Sequence, residues 1–189
     1  MHTLICGVTE SGKTTLAHCL ADSDDAQKKT VVVYDPVMTP TAAGEWPENS
    51  LIYTDKQKFI RCVARPTNPH GTAIYIDEAA DLFSQDQKEN QWILTRGRHM
   101  GYSVTMATQR PKMILPSCRH QCARLFMFRL SQGDAREIGA DYGHSGFDKI
   151  SLDQGDFLIV YSGRAKFARA NIFDIIDKGQ KPPSWIPTS

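Results

Sequence analysis

Short apolar runs separated by longer stretches of mixed polarity set the pattern of this chain. Runs rich in β-branched and aromatic side chains at 2–6, 30–35, 72–77, 102–108 and 124–130 predict strands buried on both faces. Between them, segments 13–22, 55–64, 86–98 and 134–142 carry helical spacing. The alternation predicts an α/β fold, a mainly parallel sheet flanked by helices. After residue 150 the pattern changes. Asp156 to Tyr161, the turn Ser162-Gly163-Arg164 and then Ala165 to Phe173 predict a C-terminal antiparallel β-hairpin. Residues 36–50, punctuated by Pro36, Pro40, Gly44 and Pro47, read as a loop. A single domain is expected over 1–178, followed at 179–189 by a Pro-rich tail that Pro182, Pro183 and Pro187 keep out of any helix. Trp46 and Trp185 lie in these Pro-rich segments, where burial in the same chain is favoured over a partner surface.

Composition narrows the classes further. With 189 residues, 41% hydrophobic and 23% charged, the chain can bury one sizeable core, which excludes disordered and collagenous classes. The longest apolar runs, Val31–Tyr34 and Phe157–Tyr161, fall far short of the roughly 18 residues that span a bilayer, so no membrane span is expected. Met1 to Gly7 lacks a basic stretch and a long apolar core, so no export signal is read and an intracellular location is expected. Lys and Arg total 22 against 21 Asp and Glu, so any contact with nucleic acid must come from a local patch. Five cysteines in such a chain are expected to be reduced thiols. Cys118, His120 and Cys122 could begin a zinc site, but no second ligand pair completes it, and zinc is not expected.

Gly7-Val8-Thr9-Glu10-Ser11-Gly12-Lys13-Thr14 is a full G-x-x-x-x-G-K-[ST] phosphate loop between an apolar strand and a helical pattern, with Thr15 following. Its glycines let backbone N–H groups wrap a phosphate, Lys13 reaches the β- and γ-phosphates of ATP, and Thr14 is the expected Mg²⁺ ligand. Ala73 to Ile76 form an apolar strand ending in Asp77-Glu78, the arrangement of a Walker B strand. Asp77 would join the Mg²⁺ shell, and Glu78, one residue on, is placed to accept a proton from the attacking water. Gln109 ends the strand that includes Thr105 to Thr108 as a polar amide after an apolar run.

The stretch from Arg98-His99-Met100-Gly101 to Ala107-Thr108-Gln109-Arg110-Pro111 resembles the R-x-x-G and A-T-Q-R-P segments of the HerA/FtsK superfamily of ring-forming DNA translocases. The segment Leu152-Asp153-Gln154-Gly155-Asp156-Phe157-Leu158 is similar to that family's closing hairpin. A chain this short looks like a minimal motor, most like the genome-packaging ATPases of viruses with an internal membrane and double-jelly-roll capsids. The resemblance implies a RecA/ASCE-like P-loop NTPase fold with the Gln109 strand between those leading to Gly7 and Asp77. It implies that Gln109 senses the γ-phosphate. It also implies that Arg98 acts across a subunit interface as an arginine finger, with Arg96 and then Arg136 as runners-up. If 94–99 is helical, Arg96 and Arg98 lie about 200° apart and only one can enter a neighbour's site. The implied partners are double-stranded DNA, other copies of the chain in a ring, and viral capsid or membrane vertex proteins, in the host cytoplasm and at the packaging vertex of the virion.

Candidate DNA contacts are Lys58, Arg61 and Arg65, beside Lys56 on one helical stretch, and Lys112 and Arg119, with Arg110 and His120, after the Gln109 strand. The i, i+3, i+7 face of Lys58, Arg61 and Arg65 could line a pore or be a solvated helix side. With no aromatics interleaved, phosphate contacts rather than base stacking are the expected mode. The alternatives are a cellular or plasmid DNA-transfer motor, a small-molecule P-loop kinase, which would need a lid that the sequence lacks, and a nucleotide-gated module without turnover, against which Glu78 argues.

Overall fold

The computed structural model describes residues 1–38, 41, 43–65, 71–164 and 166–179. The chain runs β1 (His2–Cys6), α1 (Lys13–Ala26), β2 (Thr30–Tyr34), β3 (Leu51–Tyr53), α2 (Lys56–Val63), β4 (Thr72–Ile76) and α3 (Ala80–Phe83). It continues through α4 (Trp92–Thr95), β5 (Ser103–Thr108), α5 (Pro116–Arg119), β6 (Cys122–Phe128), α6 (Gln132–Asp141), β7 (Asp156–Tyr161), β8 (Phe167–Asn171) and α7 (Ile172–Asp177). The strands form one eight-stranded sheet in the order β3-β2-β4-β5-β1-β6-β7-β8. Pairings from β3 to β6 are parallel, while β6–β7 and β7–β8 are antiparallel. The fold is therefore the expected α/β P-loop architecture with an antiparallel C-terminal hairpin, and β5 lies between β1 and β4.

The near-continuous apolar strands exist because both faces of the sheet are buried. Leu4, Ile74, Ile76, Val104, Met106, Leu125 and Met127 point to one face, where Phe59 and Val63 of α2, Leu82 of α3, Ile93 of α4 and Ile138 of α6 cover them. Ile5, Val31, Val33, Tyr75, Ala107, Phe126 and Phe128 point to the other, beneath Leu16 and Leu20 of α1 and Ile172 and Ile175 of α7. The side-chain period of two in a strand sends alternate residues to opposite cores, so both sets are mainly apolar.

The helix expected over 86–98 is not continuous. Residues Gln85–Gln91 form a 3-10 segment kinked at Gln87 (φ −128°, ψ 31°), α4 follows, and turns occupy 96–101. A Cβ on Gly97 would sit 2.1 Å from the Ile93 carbonyl oxygen, so the chain closes there in a turn only glycine fits. Arg96 and Arg98 are both exposed on this turn and are not set on opposite faces of one helix. The strand read through Phe173 ends at Asn171, whose side-chain oxygen accepts from the backbone N–H groups of Phe173 and Asp174 and starts α7 instead. Trp46 is buried, as expected, and its Nε1 donates to Asp35 at 2.8 Å. Trp185 and the tail reading fall at 180–189, outside the described residues.

Candidate functional site

The phosphate loop joins the C-terminal end of β1 to α1, at the centre of the sheet. Gly7 is required by crowding: a Cβ there would lie 2.6 Å from Phe128 Cβ and 2.7 Å from Ser11 Oγ. Gly12 adopts φ +107°, and a Cβ on it would meet Ile172 at 2.9 Å. Glu10 holds φ 60°, a left-handed conformation that L residues adopt at a cost of about 1–2 kcal/mol. α1 has no side-chain cap and no acidic residue in its first turn, so its positive end is open to an anion. Ser11 Oγ is buried without a partner, a polar atom left over inside the loop. Lys13 is buried, and its Nζ donates to the Val8 carbonyl at 2.8 Å, which leaves further ammonium hydrogens for phosphate oxygens. Burial lowers the Lys13 pKa, and the nearby Asp77 and Glu78 charges oppose that shift.

β4 and β5 deliver the acidic and amide groups to the same edge. The N–H of Asp77 bonds to the Tyr34 carbonyl at 2.9 Å and that of Ala79 to the Ala107 carbonyl at 2.9 Å, which fixes the turn between them. Thr14 Oγ1 donates toward Asp77, 3.1 Å from Oδ1 and 3.2 Å from Oδ2. Burial, and next the charge of Asp35, pushes Asp77 up to about 6. A hydroxyl beside a carboxylate is the hard oxygen set that Mg²⁺ takes, and a buried carboxylate of raised pKa gains from a cation, so these residues fit Mg²⁺. Among the described residues no cluster of three His, Cys, Asp or Glu is gathered to hold a metal by itself. Gln109 Nε2 donates to Glu78 Oε1 at 3.4 Å while Gln109 Oε1 accepts from Thr9 Oγ1 at 3.1 Å. Burial raises the Glu78 pKa, with the Gln109 bond opposing it. These groups line a cavity of about 500 Å³ with Glu10, Gly12, Lys13, Thr15, Val37, Thr41 and Phe173.

Asp35, missed in the sequence, is part of this edge. Buried at the end of β2, it accepts from the N–H groups of Val37 and Met38 at 3.1 and 2.8 Å, besides Trp46. Its signal was an acid closing an apolar strand, the same one that marks Asp77. Phe173 and Thr41 had no such signal, since chain folding alone brings them in.

The arginines separate clearly. The Met1 amino group is held below its ordinary pKa by burial and, next, by the Arg98 charge, so Arg98 lies near the N-terminal end of β1. The phosphate loop leaves the other end, roughly 15 Å away for a strand of this length. The turn that carries Arg98 precedes β5, which runs parallel to β1, so Arg98 is set at the end of the sheet opposite the loop of its own chain. Arg136 pairs with Asp148 at 2.9 Å.

Arg119 is corrected as a DNA contact. Its side chain is 3% exposed, and its guanidinium donates to Asp141 at 2.6 Å, Glu137 at 2.8 Å and the carbonyls of Pro111 and Ile114 at 3.0 Å each. Five donors in a fixed fork explain the choice of arginine for this structural knot. Lys112 and Arg110 lie 3.7 and 3.9 Å from the nearly buried Asp134, and Lys56 reaches Asp81 O and Gln87. Lys58, Arg61 and Arg65 are exposed, opposite the buried Phe59 and Val63. No helix of the described residues is long and apolar enough to cross a membrane.

No protein-family model matches the chain, and no curated protein sequence does. Solved structures do. The genome packaging NTPase B204 from Sulfolobus turreted icosahedral virus 2, in complex with AMPPCP, superposes with a TM-score of 0.70 at 20% identity over 89% of this chain and 96% of that one. The pCW3 conjugation coupling protein TcpA with ATPγS gives 0.63 at 17% identity over 93% of this chain and 61% of that one. The N-terminal domain of zonular occludens toxin from Neisseria meningitidis gives 0.54 at 16% identity over 92% and 96%. At these identities the likeness is one of fold, and at that level it agrees with the resemblance read in the motifs.

Proposed function

We propose that this chain is an Mg²⁺-dependent ATPase that works as an oligomeric ring and moves double-stranded DNA into a viral capsid. The observation that carries the hydrolytic part is the meeting of Thr14 with Asp77 and of Gln109 with Glu78 at one cavity mouth. The loop N–H groups and Lys13 bind the β- and γ-phosphates. Thr14 and Asp77 would hold Mg²⁺, which when bound would neutralise phosphate charge. Glu78 accepts the proton of the attacking water, its raised pKa suiting that task, and Gln109 orients Glu78 and the water.

Among the described residues lining the cavity, Lys13 is the sole cation against Glu10, Asp77 and Glu78. A further positive charge is needed as the bond from the γ-phosphorus to the bridging oxygen breaks and negative charge shifts onto the leaving ADP, and Arg98 of a neighbouring copy supplies it in this reading. The exposed face of Lys58, Arg61 and Arg65 tracks DNA phosphates, with Lys112 in support. Capsid or membrane vertex proteins would dock the ring, which places it in the host cytoplasm and at the virion vertex. B204, described as a genome packaging NTPase, favours this over a plasmid-transfer role, for which the likeness to the coupling protein TcpA speaks.

Phosphate release from ATP with Mg²⁺, measured with and without duplex DNA, tests the reading. Stimulation by duplex is expected. Hydrolysis indifferent to DNA would overturn the motor, and transfer to a small acceptor without phosphate release would establish a kinase.

A further inference from the structure

The cavity that receives the triphosphate has two unlike ends. Glu78 and Gln109 follow β4 and β5, on one side of β1 in the sheet. Phe173 enters from α7 after β8, on the opposite side of β1. A triphosphate seated in the loop with its γ-phosphate toward Glu78 and Gln109 must extend its nucleoside toward Phe173. Among the described lining residues, that end carries no charged or amide side chain beyond the loop itself. Across the cavity, the Thr41 hydroxyl is already bonded to His18 Nδ1 at 3.1 Å and the Gly44 carbonyl at 3.2 Å.

The ring is held in place by the phosphate loop. The N–H of Gly155 donates to the Ser11 carbonyl at 3.2 Å, the N–H of Ile172 to the Gly155 carbonyl at 2.9 Å, and Gln154 Nε2 to the Glu10 carbonyl at 3.3 Å. Ile172 packs on Gly12, so Phe173 is one residue removed from direct contact with the loop. Gly155 adopts φ +83°, and a Cβ on it would lie 2.5 Å from Phe173 Cδ2, so only glycine lets the ring lie against this turn. Phe173 is half-buried and keeps part of its ring open to the cavity.

We propose that Phe173 is the stacking platform for the nucleoside base, and that this chain binds nucleoside triphosphates through that ring with little discrimination between adenine and guanine. The inference rests on the phosphate-loop reading above. Every base has a π face, so an aromatic contact without polar partners gives affinity but does not read the base edge.

Calorimetric titration of ATP, GTP and base-free tripolyphosphate, each with Mg²⁺, into wild type, Phe173→Leu and Phe173→Tyr tests it. Leucine keeps apolar bulk against Gly155 and removes the π face. Base stacking predicts a loss of about tenfold for ATP and GTP alike in Phe173→Leu, unchanged tripolyphosphate affinity, and recovery in Phe173→Tyr. Unchanged ATP affinity in Phe173→Leu would overturn the proposal, as would an equal loss of tripolyphosphate, which would make the ring a support of the loop. A wild type that prefers ATP over GTP a hundredfold would remove the claim of low discrimination. If wild type bound neither ATP nor tripolyphosphate, the phosphate-loop reading itself would fail and the proposal with it.

Discussion

Thr14 and Asp77, 63 residues apart in sequence, meet through the Thr14 hydroxyl, which lies 3.1 and 3.2 Å from the two carboxylate oxygens. The contact ties the first turn of α1 to the end of β4. It also gathers two hard oxygen groups beside the only cationic side chain among the described residues of the cavity, Lys13.

Nucleotide affinity should depend on pH through Asp77. Its pKa is pushed up to about 6, chiefly by burial and then by Asp35, so the carboxyl is largely protonated below that pH and must lose its proton to hold Mg²⁺. Mg²⁺–ATP affinity is expected to fall about tenfold per pH unit below about 6, where an ordinary Asp would show this only below about 4. The same raised pKa makes the ionised group a burden on the fold. Its contribution to stability is full below the ordinary pKa and is lost as pH rises through 6. Asp77→Asn should therefore melt higher than wild type at pH 7, lose that advantage as pH falls toward 4, and bind Mg²⁺–ATP weakly. Melting and titration curves across pH 4–8 check both signs.

Glu78→Gln should retain ATP binding and slow hydrolysis by about 10²–10⁴, the usual worth of a positioned base. Lys13→Ala should lose binding as well. Nucleotide titration beside a phosphate-release assay separates the two, and wild-type turnover by Glu78→Gln would move the base elsewhere. Asp81 is the next carboxylate to test, although it accepts the Tyr34 hydroxyl at 3.1 Å.

Much of this site could be read from sequence because its groups sit where regular elements end. Gly7 to Thr14 span a strand-to-helix turn, and Asp77 and Gln109 close apolar strands, so chain order alone fixes their places. Strands such as β1 and β4 were legible because burial on both faces leaves an unbroken apolar run. The edge strand β3 was not, since it is short and Leu51 and Ile52 are exposed. The break before α4 was hidden because it depends on how closely Gly97 approaches Ile93, a tertiary distance. Arg119 was misread because a charge after a strand looks solvated until Glu137 and Asp141, on a later helix, fold over it. Phe173 carried no signal, since only the return of the chain after β8 brings it to the cavity.

Arg119→Ala should act on folding. Its loss leaves Asp141 and the carbonyls of Pro111 and Ile114 without their donor, at a cost of about 1–3 kcal/mol for each group that stays buried and unsatisfied, while the half-exposed Glu137 is rehydrated. Denaturant melts should register that loss directly. Replacing Lys58 and Arg61 with Glu should leave the melts close to wild type and weaken duplex binding. The slope of log affinity against log salt should flatten by about one for each DNA phosphate that is no longer neutralised.

The central claim is that hydrolysis is completed between two copies of the chain, and mixing two inactive variants tests it most directly. Arg98→Ala keeps Glu78 and Glu78→Gln keeps Arg98, so a mixed ring contains interfaces where both are intact. An arginine finger is worth about 10³-fold or more in rate, so each variant alone should be nearly silent. The account predicts that the mixture recovers phosphate release well above the sum of its parts, and that wild-type specific activity rises with protein concentration. A mixture no more active than its components, together with concentration-independent turnover by a monomeric wild type, would contradict it.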